Sequence, residues 1–247
     1  MTPGPAVSAA DVQAERTPGG ASVRTLLDTG PAGSGFVRRL VSLPPGARFD
    51  GSAGSAGELW FVIEGSGGLE VTGHPDLPLG RDRGLWIPPG ADFRVHADGP
   101  DELRFDAVTL PAGTAEPGGS TDRPAAVQTV PLSRDLRDCE VERTGDRQFR
   151  VLFGPGHGCA VATQFLGEIP AGRAPEHSHP YDEVVFILEG EGVLHLDGAG
   201  HPLSAGTCVH LRPRHLHCLE NTGSATMRVL GVFHPADSPA AKAETRP

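Results

Sequence analysis

Four side chains in the C-terminal half of the sequence have the types and spacing of metal ligands. His177 and His179 stand two residues apart, so on a β-strand they point to the same face. Glu183 follows four residues later, again an even step, and His217 adds a third imidazole from a distant segment. Three imidazoles and one carboxylate suit a divalent transition metal that keeps open positions for a substrate. These residues therefore predict a metal centre.

The composition favours short strands joined by turns over long helices. The 247 residues include 34 glycines and 24 prolines, and only 5% are aromatic. Hydrophobic residues make up 38% of the chain, which is enough for a packed core. The apolar runs 59–63 and 184–188 each end in a Glu-Gly turn. Many short strands between turns are typical of a β-sandwich or barrel.

The charge and the terminal sequences restrict the partners and the location. A net charge of −10 disfavours binding to nucleic acid or to an anionic membrane. No apolar run approaches the roughly 20 residues that span a membrane. The N-terminus lacks the pattern of a secretory signal, so we expect a cytoplasmic protein. We also expect four free, buried thiols, because no cysteine belongs to a CxxC pair: Cys139, Cys159, Cys208 and Cys218.

An internal repeat divides the chain into two halves. Residues 23–27 match residues 149–153, and Glu58 matches Glu183, at an offset of about 125 residues that further matches keep in order. The two halves should therefore share one fold. This predicts a mobile tail over residues 1–20, a barrel over 21–111, a linker and connecting segment over 112–146, a second barrel over 147–235 and a mobile tail over 236–247.

The repeat also predicts that the first half has lost its metal site. Ser52 and Gly54 stand where the second half has its first two ligand histidines, and Phe93 stands where it has the third. Glu58 alone is kept, and one carboxylate without nitrogen partners is a poor transition-metal site. We expect a structural barrel without metal, its pocket filled by Phe93 and a neighbour among residues 59–61. The alternative is a metal-free ligand cavity.

Two segments resemble the motifs of the cupin family. Residues 172–190 resemble Gly-x5-His-x-His-x3-4-Glu-x6-Gly, with one residue fewer before the first histidine. Residues 206–221 resemble Gly-Asp followed by Pro-x-Gly-x-x-His-x3-Asn, with Thr207 in place of the Asp and Arg214 in place of the turn glycine. Together with the repeat, this resemblance implies a bicupin: an all-β chain of two jelly-roll barrels in tandem.

The resemblance also implies a cofactor and a class of function. Cupins with this ligand set commonly hold iron, although Mn, Ni, Co, Zn and Cu accept the same ligands. We therefore expect a metal-dependent enzyme acting on a small oxygenated molecule, in the first place an oxygenase of the dioxygenase type. An isomerase, decarboxylase, cyclase or aminohydrolase is the alternative, and a non-catalytic small-molecule-binding cupin is a further one. Because cupins often pair through sheet edges, we expect a homodimer.

One of the expected ligands and two residues near the ligands are candidates for catalysis. Glu183 is expected to double as a proton carrier if it leaves the metal. The phenol of Tyr181 can donate a hydrogen bond to a bound oxyanion, or it lies at the rim. His215 stands two residues before His217 and is either an acid or base that shares its face or a turn residue.

Three further residues are candidates for substrate binding. Arg150 and Arg173 have the guanidinium groups that bind a carboxylate with two hydrogen bonds. The repeat partner of Arg150 is Arg24, in the half without expected chemistry, which favours a structural role for Arg150. His195 lies in an alternating strand and would touch a substrate if its ring faces inward.

Overall fold

The strands leave almost no room for other secondary structure. The computed structural model describes residues 4–30, 34–112, 131–237 and 239. Within these residues the chain forms β-strands and three short 3-10 segments, and no α-helix. This confirms the all-β class. No helix in the described part of the chain is long and apolar enough to cross a membrane.

The strands of the two halves follow the same order. The first half contains β1 (Ala6–Ser8), β2 (Glu15–Arg16), β3 (Ser22–Asp28), β4 (Val37–Leu43), β5 (Arg48–Ser52), β6 (Glu58–Glu64), β7 (Ser66–Val71), β8 (Leu77–Gly80), β9 (Arg83–Ile87), β10 (Asp92–Ala97) and β11 (Leu103–Thr109). The second half contains β12 (Ser133–Asp135), β13 (Glu142–Thr144), β14 (Arg147–Phe153), β15 (Thr163–Ile169), β16 (Gly172–Arg173), β17 (Asp182–Glu189), β18 (Glu191–Leu196), β19 (Ala199–Ser204), β20 (Thr207–Leu211), β21 (His217–Asn221) and β22 (Met227–His234).

Each half is a jelly-roll barrel made of a large and a small antiparallel sheet. Among the described residues, the first barrel has a sheet of order β12-β9-β6-β11-β4-β3-β2 and one of order β5-β10-β7-β8. The second barrel has the matching sheets β1-β20-β17-β22-β15-β14-β13 and β16-β21-β18-β19. The repeat therefore predicts the architecture correctly: two barrels of one design.

The barrels exchange their first strands, which corrects two predictions. β1 pairs with β20 of the second barrel, and β12 pairs with β9 of the first. Residues 6–8 are thus not a mobile tail, and residues 133–135 are not a linker. Each arm covers the unpaired backbone groups of an edge strand, a role that its local sequence does not reveal. Residues 113–130 and nearly all of the predicted tail 236–247 lie outside the described residues.

The central strand β17 explains why residues 184–188 form a continuous apolar run. Val184 and Phe186 pack into a core that both barrels share, whereas Val185 and Ile187 pack into the interior of the second barrel. Because side chains alternate along a strand, Glu183 falls on the interior face with Val185. The strand is therefore buried on both faces, and the alternation of its side chains directs the Glu183 carboxylate into the barrel.

A buried ion pair of the first barrel also binds the second barrel, through the guanidinium group of its arginine. Arg38 on β4 is fully buried and binds both carboxylate oxygens of Asp106 on β11, with N···O distances of 2.7 and 3.0 Å. The same guanidinium donates to the carbonyl oxygens of Val184 at 2.9 Å and Leu230 at 3.1 Å in the second barrel. Gln164, also fully buried, donates in the opposite direction to the carbonyl of Trp60. The strand that carries Glu183 is therefore fixed against the first barrel.

Candidate metal centre

Three of the four predicted ligands converge inside the second barrel. His179, Glu183 and His217 are buried, and one ligand atom from each lies within 4.8 Å of the others. Glu183 comes from β17 and His217 begins β21, while His179 lies in the loop between β16 and β17. The site is thus built from both sheets of the barrel, because residues distant in sequence meet where the sheets face each other.

The fourth predicted ligand lies beside this group. His177 and His217 form an isolated antiparallel bridge in which each backbone N–H donates to the other residue's carbonyl at 2.9 Å. The His177 ring is centred 4.5 Å from the ring of His217 and 6.4 Å from that of His179. His177 is only half-buried, so it stands on the outer side of the centre.

Backbone carbonyls fix all three imidazole rings. Nδ1 of His177 lies 3.3 Å from the carbonyl oxygen of Pro175, Nδ1 of His179 lies 2.8 Å from that of Tyr181, and Nδ1 of His217 lies 2.9 Å from that of His215. A carbonyl oxygen only accepts, so each Nδ1 carries the proton and donates it. In the neutral form of each ring this leaves Nε2 with a free lone pair, the state in which a histidine binds a metal.

The buried nitrogen of His179 tests whether these residues fit a metal. Its Nε2 makes no hydrogen bond to any described residue, although Oε2 of Glu183 lies 3.0 Å away. Leaving a buried polar atom without a partner costs free energy. A cation between the imidazoles and the carboxylate would satisfy this nitrogen, so the donor set fits a divalent metal. His177, His179, Glu183 and His217 would hold it.

Burial sets the protonation of the histidines. It lowers the pKa of His217 to about 4 and also lowers the pKa of His177. Burial acts in the same direction on His179, but the neighbouring Glu183 carboxylate outweighs it, so the pKa of His179 is raised. At neutral pH His177 and His217 are therefore neutral, as metal binding requires.

A cavity of about 510 Å³ opens above these residues. All four predicted ligands line it, together with Tyr181, and most of the remaining wall is apolar. A cavity of this size lies in the range that holds organic ligands. The arrangement thus combines a cation site with a largely apolar chamber.

Comparison with known proteins shows which family the second barrel is similar to. Residues 166–233, which carry every predicted metal ligand, match the family described as Cupin domain. Solved structures of similar fold include oxalate decarboxylases that cover nearly the whole chain. The second barrel is therefore similar to a cupin domain, and the fold of the whole chain is similar to that of these enzymes. Oxalate decarboxylase of Bacillus subtilis has a TM-score of 0.74 at 16% identity, covering 96% of this chain and 78% of that one. The enzyme of Lactobacillus farciminis has a TM-score of 0.72 at 14% identity, covering 97% and 89%.

Curated relatives are similar to shorter parts of the chain. Polyketide synthase CurC of Streptomyces cyaneus is 31% identical over 104 residues, which cover 40% of this chain and 66% of the relative. Auxin-binding protein 1 of Arabidopsis thaliana is 25% identical over 127 residues, covering 46% and 64%. The oxalate-binding protein of Thermotoga maritima is 34% identical over 65 residues, covering 26% and 54%. The chain spans between 27% and 66% of the length of these curated relatives.

Aromatic rings occupy the equivalent place in the first barrel. The Trp60 ring packs edge-on against Phe93 at 4.7 Å and stacks on Phe105 at 4.8 Å. Glu58 is buried and accepts hydrogen bonds from Trp60 Nε1 at 2.7 Å and from Thr109 Oγ1 at 3.0 Å. Phe93 and Trp60 thus fill this pocket, as the sequence predicts, and the conserved position of the carboxylate serves the packing of the barrel.

Two candidate catalytic residues have different placements. Tyr181 is buried, lines the cavity and stacks between His179 at 4.2 Å and Phe233 at 4.4 Å. Burial raises the pKa of its phenol, so it stays protonated. His215 does not line the cavity, because residues 212–216 form a turn with Arg214 at a φ of 63°. Its ring pairs with Asp197 at 2.8 Å, and only its backbone carbonyl serves the centre.

The three candidate substrate-binding residues lie outside the cavity wall. His195 pairs with Glu220 at 2.7 Å on the outer face of the small sheet. Arg150 pairs with Glu168 at 3.1 Å. Arg173 donates to Cys218 Sγ at 3.4 Å and to Glu176 at 3.0 Å. Their strand parity points each side chain away from the interior, which corrects the inward placement considered for His195.

Arg147 is a charged cavity residue that the sequence analysis does not predict. Arg147 begins β14, lines the cavity, and donates from Nη2 to the carbonyl oxygen of Leu219 at 3.0 Å. It stands two residues before Phe149, which is buried and lines the same wall. The signal available in the sequence was the even spacing between Arg147 and Phe149, an apolar residue that faces inward.

Proposed function

We propose that the chain is a bicupin and a metal-dependent enzyme, whose second barrel holds a divalent metal and acts on a small oxygenated molecule. The observation that carries this proposal is the convergence of His179, Glu183 and His217 at the base of a 510 Å³ cavity, with the imidazole rings fixed by carbonyls. A metal that only stabilised the fold would need no such chamber. The chamber supports a substrate beside the cation.

The residues of the site perform separate tasks. A bound divalent metal would act as a Lewis acid on oxygen atoms of the substrate. The neutral imidazoles of His177 and His217 would leave that cation only partly neutralised, and Glu183 supplies the single carboxylate. The apolar walls exclude water and so strengthen electrostatic interactions within the cavity. The protonated phenol of Tyr181 can donate a hydrogen bond to a substrate oxygen.

We place redox-neutral chemistry, such as decarboxylation, isomerisation or cyclisation, ahead of the oxygenase reaction that the sequence favours. Two likenesses support this order. Structures of similar fold include oxalate decarboxylases, and one of these structures concerns Mn(II) centres in the Bacillus subtilis enzyme. One curated relative is named polyketide synthase CurC. Manganese and iron are accordingly the first metals to test.

An oxygenase is the second candidate. Three imidazoles with one carboxylate also suit iron, and the apolar cavity would admit dioxygen. Oxygen dependence separates the two candidates. Protein loaded with Mn²⁺ or Fe²⁺ would be incubated with a panel of enols, catechols and keto-acids, with and without air. We expect turnover of at least one compound without oxygen uptake. Turnover that stops under anaerobic conditions would establish the oxygenase instead.

Replacing Glu183 with glutamine tests its role as a proton carrier. Glu183 lines the cavity and has an oxygen 3.0 Å from the buried Nε2 of His179. Positioned acids and bases contribute about 100-fold to 10,000-fold to rate. We expect E183Q to lose rate in that range while three imidazoles still retain most of the metal. The control is E220Q, which changes a glutamate on the outer face. Equal loss of metal and rate would show that Glu183 is a ligand only.

The sequence-based expectations of a cytoplasmic location and a homodimer remain predictions. Gel filtration with light scattering would measure the oligomeric state. The absence of nucleic-acid partners likewise rests on the net charge of −10.

A further inference from the structure

Arg147 lines the cavity of the second barrel without forming an ion pair to any residue that the structure describes. Arg150, Arg173 and Arg228 each form an ion pair with a carboxylate. Within the described residues, no carboxylate lies within 4.0 Å of the Arg147 guanidinium, and its hydrogen bond goes to a neutral carbonyl. Asp146, its neighbour in the chain, acts on its charge only from beyond that distance. A partly buried cation is costly without a counter-charge. Its place in the cavity wall suggests that the counter-charge belongs to a ligand.

The position of Arg147 relates this ligand to the metal centre. Arg147 is held to the carbonyl of Leu219, which lies two residues after His217 on β21. Alternate residues on a strand are about 6–7 Å apart. Leu219 and His217 both line the cavity. A small organic molecule is therefore long enough to contact both the centre and the guanidinium.

The rest of the cavity suits an apolar body. Aromatic rings form a continuous wall. The ring centroids of Phe149 and Phe165 are 6.5 Å apart, those of Phe165 and Phe233 are 5.9 Å apart, and the Phe233 ring stacks on Tyr181. Gly231 makes this wall possible, because a Cβ there would collide with the Phe165 ring. A two-carbon diacid would leave most of the 510 Å³ empty and its apolar wall uncovered.

We propose that the substrate is an organic anion with an aromatic or similarly apolar body. Its oxygen-bearing head lies at the ligand centre, its anionic group pairs with Arg147, and its body covers the wall formed by Phe149, Phe165 and Phe233. This inference rests on the proposed function for the reacting head only. The pairing with Arg147 holds whether or not the centre is catalytic.

Calorimetric titration of the full chain with 2-naphthoate, 2-naphthamide and oxalate tests the proposal, with Mn²⁺ and after metal removal. We expect naphthoate to bind more tightly than oxalate or the neutral amide. Replacing Arg147 with methionine should weaken naphthoate by about 10-fold to 100-fold, the range for a charge-assisted hydrogen bond, and leave naphthamide unchanged. Arg147→Lys keeps the charge and should lose less. Arg143→Met, on the exposed side of the same hairpin, should bind like the wild type.

Two results would overturn the proposal: oxalate binding more tightly than naphthoate, or R147M and R147K both binding naphthoate like the wild type. Circular dichroism of each variant shows whether it is folded, and R147K provides the comparison if R147M is not. Metal content is measured separately. A chain that takes no metal but binds naphthoate through Arg147 would refute the proposed enzyme and support this inference.

Discussion

Replacing His217 with alanine is expected to remove the metal from the second barrel. His217 is almost completely buried, its Nδ1 is fixed by a carbonyl, and its ring lies between those of His177 at 4.5 Å and His179 at 4.9 Å. Even residues behind the ligands cost about 10-fold to 100-fold in metal affinity when changed, so loss of a ligand should cost at least about 100-fold. Elemental analysis after dialysis would measure the metal content, and titration would measure the affinity.

In the H217A variant, the thermal stability should no longer depend on the metal. A ligand present at about 100 times its Kd stabilises the folded state by about 2.7 kcal/mol. Added Mn²⁺ should therefore raise the melting temperature of the wild type and leave that of H217A unchanged. H195A and H215A are matched controls, because these histidines pair with Glu220 and Asp197 outside the cavity. An H217A protein that still bound metal like these controls would place the centre elsewhere.

Part of the candidate metal centre could be predicted from sequence because some of its signals are local. His177, His179 and Glu183 lie within seven positions of each other, so the chain keeps them close in space whether they lie in a loop or in a strand. The repeat then supplied the two barrels and the aromatic filling around Phe93. These inferences need residue order and type, and they do not need the distances between strands.

The errors arose where the direction of a side chain or its partners depend on strand parity or on long-range register between strands. His215 was expected to share a face with His217, but a turn separates the two positions, so even spacing loses its meaning. Arg150 faces Glu168 across a strand pair, while Arg147, of the opposite parity, faces the cavity. Neither the exchange of β1 and β12 nor the partners of Arg38, which lie 68 and 146 residues away, leaves a local signal.

Replacing Asp106 with alanine is expected to destabilise the chain by about 3–5 kcal/mol. Arg38 and Asp106 have no exposed side-chain surface, so D106A would leave a guanidinium buried between the barrels without its counter-charge. The effect should reach the second barrel, because Arg38 also binds the carbonyl of Val184, next to Glu183. Urea denaturation followed by circular dichroism would measure the loss. The exposed pair of Arg94 and Asp50 is the control, and D50A should leave the unfolding midpoint nearly unchanged.

A double substitution separates the cost of an unpaired charge from the value of the pair. In R38M/D106L no charge remains buried, and apolar side chains of similar length fill the space beside Phe186. The carbonyls of Val184 and Leu230 still lose a donor, which costs about 1–3 kcal/mol for a buried group left unsatisfied. We therefore expect the double variant to lie between the wild type and D106A in stability. If it were as unstable as D106A, the ion pair itself, and not the avoidance of a lone charge, would hold the barrels together.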